Sequence, residues 1–274
     1  MPIVYWNHEP ALFGRWSHKK EAVIDMWTRS QLKDNAKAAL QGRYWMAFLV
    51  CLVTSFLAGG SSGGISGSLT GVESGTLSSA SSPSIQNALL IALPLIFGVV
   101  LLISVVSICY NVFVAAPIRV GCNGYFMENR LGPTNFTRMF SGFNKQYKNL
   151  VLTTFLKQLF IFLWSLLFLV PGIIKSYQYY FVEYIMAENP GMEWRRALDL
   201  SRTMTDGEKW NIFVLELSFL GWYLLGALAC GVGVLFVSPY ASATYAELYE
   251  AAREKALYNH WATPEELPGF TPHP

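Results

Sequence analysis

The placement of Lys and Arg against the apolar runs constrains this chain more than any other feature. Apolar stretches occupy residues 44–57, 88–114, 149–170, 172–187, 210–230 and 231–248. Several approach the roughly 20 residues that a helix needs to cross the hydrocarbon of a bilayer. Of the 20 Lys and Arg, only Lys157 and Lys175 fall inside these runs. The rest sit in segments 1–43, 115–148, 188–209 and 249–274, whereas segment 58–87 and the turns at Pro171 and near Gly231 carry none. That alternation predicts six spans with both termini on the cytoplasmic side. The expected fold class is all-α: a polytopic membrane bundle, located in the cell membrane.

Composition agrees. Charged residues make up 14% of the chain and apolar ones 53%, against about 25% charged in ordinary soluble domains. A net charge of +2 argues against nucleic acid as a partner, because topology already accounts for the cations. Cys51, Cys109 and Cys230 lie in apolar runs and Cys122 just inside the following loop. None has CxxC spacing, and each reads as a small buried packer. Trp6, His8, Glu9 and Glu21 precede any apolar run, so no secretory signal is expected at the start. The organisation read here is an N-terminal cytoplasmic extension (1–27), a membrane domain (28–255) and a cytoplasmic tail (256–274).

Three amphipathic segments alternate with the apolar ones. The first has Ser30 as its expected N-cap and Leu32, Ala36, Ala39 and Leu40 at helical spacing. The second carries Phe136, Met139, Phe140 and Phe143 among Arg138 and Lys145, and the third carries Trp194, Ala197, Leu198, Ser201 and Met204. Each is expected on the inner membrane surface. In the third, Trp194 would face lipid, with Arg195, Arg196 and Arg202 near headgroups. Residues 59–84 are rich in Gly and Ser and read as an external loop. Pro94, Gly98 and Pro117 predict a kink in the second span, and the run Leu169, Val170, Pro171, Gly172 predicts a tight turn between the third and fourth. Each amphipathic segment leads into an outward and then a return span. The pairing of Met127-Glu128-Asn129 with Ala187-Glu188-Asn189 suggests a threefold repeat; reuse of similar residues at one boundary by any polytopic chain is the other reading.

The string Leu169 to Tyr184, closed by Ala187, Glu188, Asn189 and Pro190, and the later Trp210, Ser218 to Leu225, Pro239-Tyr240 and Tyr245 to Tyr249 resemble an uncharacterised integral membrane family of Gram-positive bacteria known as domain of unknown function 975. Arg29 to Lys33 and Ala36 to Gly42 resemble that family's start. The resemblance implies a membrane location and about six helices, and brings no catalytic residues. The pattern is more distantly similar to the membrane domain of some glycerophosphodiester phosphodiesterases, whose soluble catalytic domain has no counterpart here.

Lys157, Lys175, Glu183 and Glu216 are ionisable groups inside spans, where charge is costly and often functional. Lys157 is positioned to pair with Glu216 or Glu183. On the fourth span Lys175, Tyr179 and Glu183 recur every four residues and would share one face of a continuous helix. Such a stripe could line a conduit or tie helices together. His8, His18, His260 and His273 have no metal-ligand spacing, and no nucleophile or phosphate-loop motif occurs. The sequence thus predicts a non-enzymatic protein without a cofactor, acting as a membrane interaction or scaffold protein whose partners are the lipid bilayer and a membrane protein or a second copy. A small transporter or lipid-handling permease using the intramembrane Lys and Glu residues is the alternative.

Overall fold

A computed structural model describes residues 27–58, 83–144, 146–228 and 232–270. The Gly/Ser loop, nearly all of the N-terminal extension and Cys230 lie outside them. Among the described residues every regular element is helical. In chain order these are α1 (Arg29–Leu40), α2 (Tyr44–Ala58), α3 (Pro83–Tyr110), a π-helical turn (Asn111–Ala115), α4 (Ala116–Leu131), a 3₁₀ segment (Phe136–Phe143), α5 (Tyr147–Leu167), α6 (Leu169–Gln178), α7 (Val182–Glu188), α8 (Trp194–Met204), α9 (Lys209–Leu228) and α10 (Val232–Tyr258).

Three helical stretches are long and apolar enough to cross a membrane: Pro94–Leu131, α5 and α9. The bent pair α1 and α2, which meet at 102°, would make a fourth if counted together. Six full-length crossings are therefore more than the helices by themselves establish. At about 1.5 Å per residue α2 is only about 22 Å long, short of a hydrocarbon core of about 30 Å. It departs from α1 at Gly42, whose φ of 73° suits glycine. The expected fourth span is not one helix, because it breaks between α6 and α7. The sixth, α10, is continuous, but its second half is polar enough to pack inside protein.

Local chemistry explains several boundaries. Thr28, not Ser30, caps α1, accepting from the Gln31 amide at 3.3 Å. The α5–α6 turn is made at Phe168 alone, in extended backbone, and Pro171 sits in the first turn of α6, where its missing N–H costs nothing. Pro117 likewise cannot donate to Phe113, and the Tyr147 hydroxyl donates to that carbonyl instead at 2.7 Å. The kink expected near Pro117 is the π-helical turn just before it.

The helices divide by environment. Residues 94–111 of α3 and the turn after it are exposed throughout, as are Phe162, Leu166, Leu169, Leu224 and Leu228 on α5, α6 and α9. These form an apolar skirt that needs lipid or another protein as its solvent. From Ala115 to Asn129 the same long helix is buried almost without interruption, surrounded by α2, α7, α10 and the 3₁₀ segment. Two glycines make that closeness possible: a Cβ on Gly121 would lie 1.9 Å from the Met139 carbonyl oxygen, and one on Gly142 2.2 Å from that of Pro117. Gly226 and Gly233 let α9 and α10 touch backbone to backbone.

The amphipathic segments turn inward. Leu32, Ala36, Ala39 and Leu40 of α1 are buried, with α10 its main neighbour. Ala197, Leu198, Leu200, Ser201 and Met204 of α8 are buried, beside α5 and α7. The lipid-facing reading of α8 is thereby corrected: its apolar side had a protein core available, and Trp194 packs against that core half-buried. Of the cysteines, Cys51 and Cys122 are buried as expected, whereas Cys109 is exposed on α3.

Candidate functional site

The ionisable groups within the apolar segments all have partners inside the protein. Lys157 of α5 lies 3.0 Å from the Glu183 carboxylate of α7, and Arg119 of α4 approaches the same carboxylate at 4.0 Å. The Lys157 and Glu183 side chains are 14% and 15% exposed. Glu216 of α9 is engaged elsewhere: the Tyr177 hydroxyl of α6 donates to it at 2.6 Å. Of the two pairings open to Lys157, the structure makes the one with Glu183. Tyr177 and Tyr180 stack with ring centroids 6.4 Å apart, and Tyr180 meets Tyr245 edge-on at 6.2 Å. A wall of tyrosines thus flanks Glu216.

The break in the fourth apolar segment creates this arrangement. After Gln178 the helix stops, and α8 supplies what the interrupted backbone lacks. The Ser201 hydroxyl donates to the Gln178 carbonyl at 3.0 Å and accepts from the Phe181 amide at 3.1 Å; Thr205 adds a second donation to Gln178. Lys175, Tyr179 and Glu183 therefore do not form a stripe on one helix face. Lys175 stands over the rings of Trp164 and Tyr179, at 5.2 and 5.8 Å, while Glu183 points to Lys157.

A second set of charges was missed from the sequence. Three glutamates, Glu128, Glu188 and Glu247, are nearly buried, and each is paired with an arginine. Arg138 meets Glu128, Arg253 meets Glu188 at 2.8 Å and Arg130 meets Glu247 at 2.6 Å. Glu250 lies between Arg130 and Arg253. Tyr249 and the Gly269 amide complete the Glu188 site, so the segment after α10 is tied into the core. The Glu-Asn dipeptides at 128–129 and 188–189 were the sequence signal. A related tie also recurs: Arg43 donates to the Asn129 carbonyl at 2.6 Å, Asn149 to that of Pro190 at 2.8 Å, and Lys255 to Glu208 at 3.0 Å. Each joins residues at the start of α2, α5 or α9 to residues at the end of α4, α7 or α10, respectively.

On α8 the cations part company. Arg196 is committed, making paired bonds to Glu266 at 2.7 and 2.9 Å and a third to the Trp261 carbonyl. The Glu266 carboxyl is held below the ordinary glutamate range by those bonds to Arg196. Arg195 and Arg202 are exposed, Arg195 resting over Trp194 at 5.0 Å. Among the described residues no cluster of His, Cys, Asp and Glu could hold a metal.

The helices from Phe168 through α10, which supply Glu183, Glu188, Glu216 and Glu247, are also the part of the chain with a known counterpart. Residues 168–256 match the model of a family described as protein of unknown function (DUF975). The likeness is confined to that stretch, about a third of the chain. The stretch contains the broken fourth helix, the Ser201 bridge and most of the buried Glu–Arg network. No curated protein and no solved structure matches the chain.

Proposed function

We propose that this chain is a non-enzymatic, multi-pass protein of the cell membrane that acts as an interaction or scaffold platform, with both termini on the cytoplasmic side. One observation supports the reading over a transporter: the intramembrane charges are engaged by side chains of the protein itself, Lys175 by the rings of Trp164 and Tyr179. Lys157, Glu183 and Arg119 form one closed set and Glu216 with Tyr177 another. A conduit needs such groups turned toward an aqueous path. The buried Glu–Arg pairs around α4, α7 and α10 stiffen a body from which Arg195 and Arg202 project. In this reading the α1–α2 pair, α6–α7 and α10 complete six passages through the bilayer, with the amphipathic helices docked against the bundle.

The test compares two folded variants in living cells by crosslinking the full-length chain to its membrane neighbours. Arg195→Glu/Arg202→Glu should lose those neighbours and Lys157→Met/Glu183→Leu should keep them. The reverse pattern, with solute flux abolished in proteoliposomes of the second variant, would establish the permease instead.

A further inference from the structure

A sizeable cavity bounded by described residues lies away from the paired charges. It is a groove of about 660 Å³ between α1 and the first half of α9. Trp27, Arg29 and Lys33 line one side; Trp210, Val214 and Ser218 line the other. We propose that this groove binds the phosphate headgroup of an anionic membrane lipid. The proposal rests on the membrane-platform reading and names a ligand for it.

Three observations converge there. Arg29 and Lys33 are one turn apart on α1 and so project on one face, with Cβ atoms about 6 Å from each other. Neither meets an acid among the described residues: Asp34 of α1 and Glu208, just before α9, are engaged by Lys37 and Lys255, and Glu216 of α9 by Tyr177. Elsewhere the buried cations Arg119, Arg130, Arg138, Lys157 and Arg253 all have carboxylates. Two like charges side by side repel, and a phosphate between them removes the repulsion and gains two charge-assisted bonds.

The walls suit a lipid better than a free anion. Trp27 and Trp210 flank the cations, and Trp210 is 70% exposed. Indole rings with one wet and one apolar side favour headgroup depth. Lys33 is drawn inward, its amine 4.7 Å from the Phe219 ring. Beyond the groove the exposed Leu217, Leu220 and Leu224 continue along α9, itself one of the span-capable helices, and offer acyl chains a path. The zwitterionic choline headgroup carries a cation that would meet Arg29, so the site should discriminate by net charge.

The experiment uses the full-length chain in detergent, with native mass spectrometry reading retained dioctanoyl phosphatidylglycerol against dioctanoyl phosphatidylcholine. With each cation contributing about as much as one basic residue at an anionic surface, the preference should be about thirtyfold. Arg29→Gln should cut it to about fivefold, and Arg29→Gln/Lys33→Gln should remove it, with helical content unchanged. Because Arg29 is exposed in the first turn of α1, the single variant keeps the test open if the double one unfolds. Arg195→Gln/Arg202→Gln should keep the preference. Equal retention of the two lipids by the wild type, or a preference untouched by Arg29→Gln, overturns the site. Displacement of the lipid by millimolar inorganic phosphate or glycerol 3-phosphate would make the ligand a soluble phosphate and overturn the lipid assignment. Absence of a lipid preference in the wild type, with its membrane neighbours intact, rejects the groove alone; lost neighbours in the α8 variant are a separate readout of the platform.

Discussion

Removing one member of the Lys157–Glu183–Arg119 set should have unequal consequences depending on which member goes. Among the described residues Glu183 is the one carboxylate that serves both cations, at 3.0 and 4.0 Å. Glu183→Leu leaves two positive charges without a partner, and breaking a buried pair in this way costs about 3–5 kcal/mol. Lys157→Met leaves Glu183 with Arg119, whose side chain is 25% exposed and free to move closer; the loss should be smaller, about 2 kcal/mol by the same reasoning. In the double variant only Arg119 is unpaired, and its exposure lets water solvate it. The double loss should therefore fall short of the sum of the single losses by about 2 kcal/mol, a coupling well above the additivity seen for independent sites. Reversible unfolding of the purified chain in mixed micelles, followed by tryptophan fluorescence, supplies the four stabilities. Strict additivity, or a larger loss for Lys157→Met than for Glu183→Leu, would refute the reasoning. The same cycle on Lys157 and Glu216 should be additive, since Glu216 is bonded to Tyr177 instead.

Gly121→Ala places a methyl 1.9 Å from a backbone oxygen that cannot swing away; a loss at or above the 1–3 kcal/mol typical of overpacking, about 3 kcal/mol, is expected, and a thermal midpoint equal to wild type would contradict the packing of the 3₁₀ segment on α4. Ser201→Ala should destabilise by about 1–3 kcal/mol because the Phe181 amide loses its partner and the Gln178 carbonyl keeps only the longer bond from Thr205, whereas Ser201→Thr should retain most stability; equal stability of Ser201→Ala and wild type would show that the break needs no bridge. Glu266 has a lowered folded pKa, so its contribution is present above the ordinary glutamate range and is lost as pH falls through the folded value. Arg196→Ala should remove that pH-dependent component, leaving a shallower loss of stability on acidification below about pH 4, and an unchanged acid limb would deny the pairing a role.

How far the sequence could be read depended on which residues share a local pattern. The apolar runs that became α5 and α9 were plain, because a long uninterrupted run has few alternatives to a helix. The fourth run looked equally continuous, and nothing within residues 172–187 marks the stop at Gln178. The cause lies at Ser201 on α8 and Thr205 just after it, more than 20 residues away, whose hydroxyls offer the backbone a competing partner. The every-fourth-residue spacing of Lys175, Tyr179 and Glu183 therefore misled. The amphipathic character of α1 and α8 was legible, yet amphipathicity only requires that one side meet something apolar. The core of the molecule served that purpose in place of lipid. The pairing of Lys157 was narrowed to two carboxylates by depth along the spans, and three-dimensional packing chose between them. The Glu–Arg network was least visible, since its members are up to 117 residues apart.

The account turns on whether the intramembrane charges are closed to water. In a chain freed of its native thiols and reconstituted in vesicles, single cysteines at positions 157 and 216 can be exposed to a small, membrane-impermeant, thiol-specific reagent from both sides. Cysteines at the exposed Arg195 and Arg202 positions serve as reference. A packed bundle predicts rapid modification of the two reference sites and essentially none at 157 or 216. Modification of both intramembrane positions at rates near the reference, from either side, would mean that water reaches them and would contradict the closed platform.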